Sequence, residues 1–299
     1  MIVAALGYVR WPPRGIPAGT AEAPSVLAIL PVLTFDAEPS TEAIGAGIAA
    51  TVFSNLSGTS GLNVIPLSAV AQLAATSDRD TALKTLGVGW ALETTLRRSG
   101  SDFTLDAALK RPGVAEPEWR TSVSGNALTT ERRLMDSLAR GLVSAGVVES
   151  LSSDDREHIL RAPTNDNEAF VAYSQGRRLL VVPSTATSAQ EMVRLFGIAV
   201  ERDPQYALAY AGLSDAYFAG YRRTKDAAMV ERASEAARKA LALDPRLAVA
   251  LFGLGRAALA QRVSLVPGDP RLALVLTRYI APSSTRVGTG ETPLRRPAR

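Results

Sequence analysis

The sequence predicts a chain in two parts: a mixed unit of order β-α-β-α-β-β-β-α over residues 24–150, then an α-helical repeat array over residues 151–261. Three observations carry this prediction. Ser25 to Val32 is an unbroken apolar run bounded by turn residues, as expected of a strand buried on both faces. Three stretches between Val88 and Val123 alternate apolar and polar residues with a period of two. Two similar helical segments then end on Asp203-Pro204 and Asp244-Pro245, and similar sequences, YALAYAGLSDAY and LAVALFGLGRAA, follow them.

Composition narrows the chemistry. A chain of 299 residues that is 46% hydrophobic and 21% charged suits a globular protein of about two domains. Without cysteine there is no disulfide framework and no thiolate nucleophile, and with His158 as the single histidine the common zinc sites built from His and Cys are excluded. The net charge of +4 is concentrated at the end. From Arg262 onward seven arginines face only Asp269 and Glu291, so the tail carries +5 and the remainder −1. A body of that charge is not built for nucleic acid, and none is expected as a partner.

The elements follow in order. After the Ser25–Val32 strand, Thr41-Glu42 opens a helix in which Ile44, Ile48, Val52 and Leu56 form one apolar stripe, closed by Gly58. Asn63 to Leu67 reads as a second short strand. Ser68 caps a helix expected in two pieces around Ser77-Asp78. Val88, Trp90, Leu92 and Leu96, then Phe103, Leu105, Ala107 and Leu109, then Trp119, Thr121 and Val123 form the inward rows of an antiparallel meander. Its turns lie at Arg98–Asp102 and Pro112-Gly113. Leu128 to Ala145 ends the unit as a helix with Leu134, Leu138 and Leu142 on one face, and the boundary is expected near Val148 to Asp154.

These residues resemble a known family. SVLAILPV, the Gly-Ile-Ala helix, LNVIPLSAV, LGVGWALETTLRRSGSDFTLDAALKR and EPEWRTSVSG are similar to the TolB-like amino-terminal domain of multidomain bacterial signalling proteins. Ala50 stands where the family usually carries an acidic residue. In such proteins a cytoplasmic Ser/Thr kinase, nucleotide cyclase or winged-helix module and a membrane helix come first, and tetratricopeptide repeats follow. The repeat region resembles them too. With Ala207 as position 1, Tyr210, Leu213, Ser214 and Tyr217 fall on the pattern's large, Leu, small and aromatic positions, and Ala233 and Ala240 precede Pro245 at the spacing of a second helix. Seven surplus residues between Gly220 and Asp226 amount to about two helical turns, which keeps both faces in phase. Glu168 to Val181 with Ser188 to Arg202 fits an earlier repeat with a loop inserted at Pro183 to Thr187. A third begins at Ala248 and lacks its second helix. Together the two resemblances cover residues 24 to 261.

The ends depart from this pattern. Met1 to Val9 is an apolar run closed by Arg10, Trp11 and Pro12-Pro13, too short to span a bilayer, and residues 1–23 read either as a leader and linker or as the remnant of a transmembrane helix. Residues 262–299 are a basic, largely irregular tail. Arginine outnumbers lysine 29 to 4, as in GC-rich coding DNA where shifted frames stay open, and the tail is hypothesised to follow a frameshift. The coding DNA tests this: an alternative frame should restore the missing helix.

Motifs for chemistry are weak. Gly45-Ala-Gly47-x-x-Ala50 fits a loose dinucleotide fingerprint but sits about a dozen residues past its strand, so helix packing is the expected role. Gly253 and Gly255 are read the same way. Asp154, Asp155, Glu157 and His158 are read as the first turns of a helix opened by Ser152-Ser153, and Glu131-Arg132-Arg133 as a solvated face. No cofactor, metal or catalytic constellation is expected. The expected function is a non-catalytic interaction or sensory module that binds a protein or peptide through a groove of stacked first helices. The tetratricopeptide resemblance places Gln175, Arg178, Asp215, Phe218, Phe252 and Arg256 there, with Arg178 and Arg256 flanking Asp215. The alternative is a truncated, non-functional fragment of a receptor kinase or cyclase. As written the chain is expected to be soluble, with a periplasmic location and membrane contact only if a transmembrane helix precedes it.

Overall fold

The computed structural model describes residues 24–36, 38–73, 79–181 and 186–260. The leader, the Ser77-Asp78 break, most of the loop at 183–187 and the tail lie outside the described residues. Strands β1 (Ser25–Ile29), β2 (Leu33–Thr34), β3 (Leu62–Val64), β4 (Trp90–Ser99), β5 (Asp102–Lys110) and β6 (Trp119–Gly125) form one mixed six-stranded sheet. Its order is β3-β1-β4-β5-β6, with β2 also on β4. β1 runs parallel to β3 and β4, while β4, β5 and β6 are antiparallel neighbours, with Leu96 opposite Leu105 and Leu105 opposite Val123. The period-two rows from Trp90 to Val123 therefore make the meander that alternation predicts, but Val88 precedes β4 and packs on the other face with Val70 and Leu83, because the alternation starts only where the strand does.

Helices α1 (Pro39–Leu56) and α4 (Ala127–Ser144) cover one face. Leu27, Ile29, Trp90, Leu92, Leu96, Leu105 and Leu109 meet Ile44, Ile48, Val52, Leu134, Leu138 and Leu142 in a single core. On the other face α2 (Leu67–Leu73) and α3 (Arg79–Thr85) cover only the β1 side, through Val70 and Leu83 on Ala28, Leu30 and Ala91. Beyond them the meander's outer face is polar: Glu93 pairs with Arg79 and Lys110, each at 3.0 Å, and Arg97 with Asp106 at 2.5 Å. The strand expected over Asn63–Leu67 is shorter. Leu67 already belongs to α2, because the Pro66 carbonyl accepts from the Ala69 and Val70 amides and turns the chain into a helix.

Local chemistry sets the helix ends. Asn126 caps α4, its side chain accepting from the Thr129 amide at 2.8 Å. Asn126→Ala is expected to cost about 1 kcal/mol, read as a lower urea midpoint at unchanged m. At the other end Gly146 takes φ +71°, and the Val147 amide returns to the Leu142 carbonyl.

Helices α5 (Ser153–Leu160), α6 (Asn167–Val181), α7 (Ala186–Arg202), α8 (Ala207–Thr224), α9 (Ala227–Leu243) and α10 (Ala248–Ala260) follow the sheet. From α6 to α10 each packs on the next. The seven surplus residues after Gly220 lengthen α8 to Thr224, where Lys225 turns the chain at φ +59°. Between α6, α7 and the turn before α8 the rings of Tyr173, Phe196 and Tyr206 cluster at centroid distances of 5.9 and 5.1 Å.

The chain at 149–154 is largely exposed, yet residues on both sides of it share one core. Val147, Val148, Ile159 and Phe170 join the core of the sheet unit, and α6 lies along α1. The Asn55 side-chain amide, buried near the end of α1, donates to the carbonyls of Ile159 and Arg161 at 3.1 and 3.0 Å. Almost the whole circumference of α1 is consequently buried, and the one-stripe pattern of Ile44, Ile48, Val52 and Leu56 describes only its sheet-facing side. Gly45 meets Val32 and Gly47 meets Ser174, so both glycines of the loose fingerprint sit at packing contacts in mid-helix. No helix among the described residues is long and apolar enough to cross a membrane.

Candidate partner-binding surface

The six residues selected from sequence do not converge on one point. Asp215 on α8 lies between two guanidinium groups, but they belong to Arg256 of α10, at 2.6 Å, and Arg177 of α6, at 3.5 Å. Arg178 instead pairs with Glu42 of α1 at 3.4 Å. Gln175 is exposed on α6. The expected flanking of Asp215 by Arg178 and Arg256 is thus corrected in one member. Adjacent helical residues differ by about 100° around the axis, so a one-residue difference in phase sends one arginine toward α8 and the other toward α1. The Arg177-Arg178 doublet was visible in the sequence, but the crossing of α6 over α1 selects which of the two turns to α8.

Phe218 and Phe252 do meet Arg256. The guanidinium carbon sits 4.1 Å from the Phe218 ring centroid and 5.5 Å from that of Phe252, within cation–π range. Phe218 also lies 5.7 Å from Tyr221. Arg256 is 27% exposed and Asp215 21%, so this group braces α6, α8 and α10 as much as it meets solvent. The Arg256 Nε is buried without a hydrogen-bond partner, consistent with a side chain clamped between rings.

A second cluster joins α5 to the turn between α9 and α10. Ser152 caps α5 by accepting from the Asp155 amide, as its sequence predicts. Arg246 reaches back to Asp154 at 2.7 Å and Asp155 at 3.5 Å, and Arg161 meets Asp244 at 3.7 Å. Against Asp155, burial raises the carboxyl pKa, but hydrogen bonds from Ser152 and Ser60 and the Arg246 charge outweigh it and hold the value low. Beside them His158 is buried with neither ring nitrogen hydrogen-bonded. Burial and the neighbouring Arg246 hold its pKa below the usual 6.5. These groups close the helices onto the sheet unit, a structural role.

An open depression of about 430 Å³ lies between the 162–166 and 202–205 turns. Its polar groups are already engaged: Thr164 donates to Asp203, and Arg202 pairs with Asp166 at 3.3 Å and with Glu168. Glu131 requires a correction. It is not on a solvated face; it is 1% exposed, and neither carboxylate oxygen has a hydrogen-bond partner, although Arg132 and Arg133 beside it are exposed as expected. No protein-family model matches the chain, and no curated protein matches it.

Proposed function

We propose that this chain is a non-catalytic interaction module of a signalling protein, a TolB-like domain carrying incomplete tetratricopeptide repeats, which binds an extended acidic peptide along α6, α8 and α10. The observation that carries the reading is the shared surface on which α6, α8 and α10 present Arg177, Asp215, Phe218, Phe252 and Arg256. Small residues at the helix crossings support the repeat assignment. Gly176 and Gly212 receive the Phe196 ring, and Gly253 lies against Ser214, so neighbouring helices approach closely. Gln175 is exposed on α6, Arg178 is taken up by Glu42 of α1, and exposed Arg222 falls on the Asp215–Phe218 stripe of α8 by helical spacing. Cations outnumber acids along it, which favours a partner with carboxylates.

The test leaves the Asp215 brace intact. Glu-rich decapeptides are immobilised, and the chain is compared with its Gln175→Glu/Arg222→Glu variant by surface plasmon resonance. Binding is expected to fall with salt and to weaken in the variant, each exposed charge contact contributing roughly 0.2 to 1 kcal/mol. The melting temperature should stay the same, because Gln175 and Arg222 are both exposed. Equal binding by both proteins removes the groove assignment.

A further inference from the structure

The joint between α4 and the later helices holds two buried polar groups that nothing satisfies. Glu131 of α4 is 1% exposed with both oxygens unpartnered, and Tyr206, fully buried in the turn before α8, has an unpartnered hydroxyl. Each lies within electrostatic reach of the other. Around them the joint is held by backbone and side-chain bonds. The Leu128 amide donates to the Asn167 side chain at 3.2 Å, and Arg132 donates to the Thr164 carbonyl at 2.8 Å and to Asn165 at 2.7 Å. The guanidinium of Arg132 is therefore committed to the 164–165 turn. A bare carboxylate without donors at such a place is strongly disfavoured, whereas a neutral carboxyl costs far less to bury.

We propose that Glu131 makes this joint a proton-dependent seam, closed while the carboxyl carries its proton and loosened when it ionises. Burial pushes the Glu131 pKa up from 4.5 to about 8, against a smaller opposing effect of Arg132. Among the described residues, the titratable and charged groups acting on the pair are Arg132 of α4, Tyr173 and Arg177 of α6, and Asp203 of the turn before α8. Tyr173 is pushed up to about 12 and Tyr206 well above 10, both by burial, so neither ring loses its proton in the range where Glu131 does. The sign follows from the raised value. Well below pH 4.5 the carboxyl is protonated folded and unfolded and adds no pH dependence; between 4.5 and 8 the unfolded chain ionises first, and stability falls as pH rises.

The experiment compares the full chain with Glu131→Gln between pH 6.5 and 8; His158, held below 6.5 in the folded protein, is present in both and contributes equally to both. Urea unfolding is measured at each pH, with amide exchange at Tyr206 and Ala209 corrected for intrinsic base catalysis. The folding equilibrium of the native chain is expected to weaken by nearly tenfold per pH unit at the lower end of this range and less steeply as pH nears 8, and protection at the two amides to fall with it, while Glu131→Gln shows no such fall. Tyr206→Phe should keep the native slope, because its hydroxyl does not titrate. Equal slopes for the native chain and Glu131→Gln overturn the proposal. If Glu131→Gln does not fold, the native chain decides alone: a profile that does not fall from pH 6.5 to 8 overturns it, and a fall of roughly tenfold or more across that range supports it.

Discussion

Phe196→Ala is expected to destabilise the protein by about 3 to 5 kcal/mol, read from urea midpoints. The ring is fully buried and wedged between two helices at points where neither has a side chain. A Cβ at Gly176 would lie 2.7 Å from its Cζ, and one at Gly212 would lie 2.4 Å from its Cε1. Two glycines cannot refill the space that the ring vacates, so the cavity persists unless α6 and α8 move, and Tyr173 loses a ring neighbour at 5.9 Å. Collapse of the site would lower the cost, and a loss below about 1 kcal/mol would show that α6 and α8 do not grip the ring.

The second large effect has a diagnostic sign. In an exposed helix, Gly→Ala stabilises by roughly 1 kcal/mol. At Gly47 the added methyl would stand 1.9 Å from the Ser174 Oγ and 3.1 Å from its Cα. The hydroxyl has little freedom to retreat, since it is buried and donates to the Phe170 carbonyl at 2.7 Å. α1 and α6 must separate, with an expected loss of about 1 to 3 kcal/mol for Gly47→Ala. Ser174→Gly in the same chain should return part of it, because it removes the opposing side chain. A stabilised Gly47→Ala protein would mean that the two helices do not touch there.

Much of the fold was legible because its signals are local. Alternation at Trp90–Leu96 and Phe103–Leu109 reports a strand with one wet face, and Leu134, Leu138 and Leu142 report a helix with one dry face. Ser152 is a side chain that satisfies a free amide at a helix start, and does so at α5 as its sequence implies. The candidate surface was legible in part. Asp215, Phe218, Phe252 and Arg256 meet as the tetratricopeptide resemblance implies, while Arg177 takes the place expected of Arg178.

The type and order of the elements were readable from the residues alone, because hydrophobic period, capping and turn chemistry are properties of chain neighbours. How the two regions close on each other depends on contacts between distant segments. Small residues carry almost no hydropathy signal, so the second buried face of α1 at Gly47 was invisible until α6 lay across it. Arg246 meets Asp154 across 92 residues, and Asn55 meets Arg161 across 106, pairings that no local pattern encodes. Glu131 is the extreme case. Beside two arginines a glutamate reads as solvated; burial here depends on the Asn167 and Tyr206 regions arriving from distant sequence to cover that part of α4, and that arrival changes the cost of its charge.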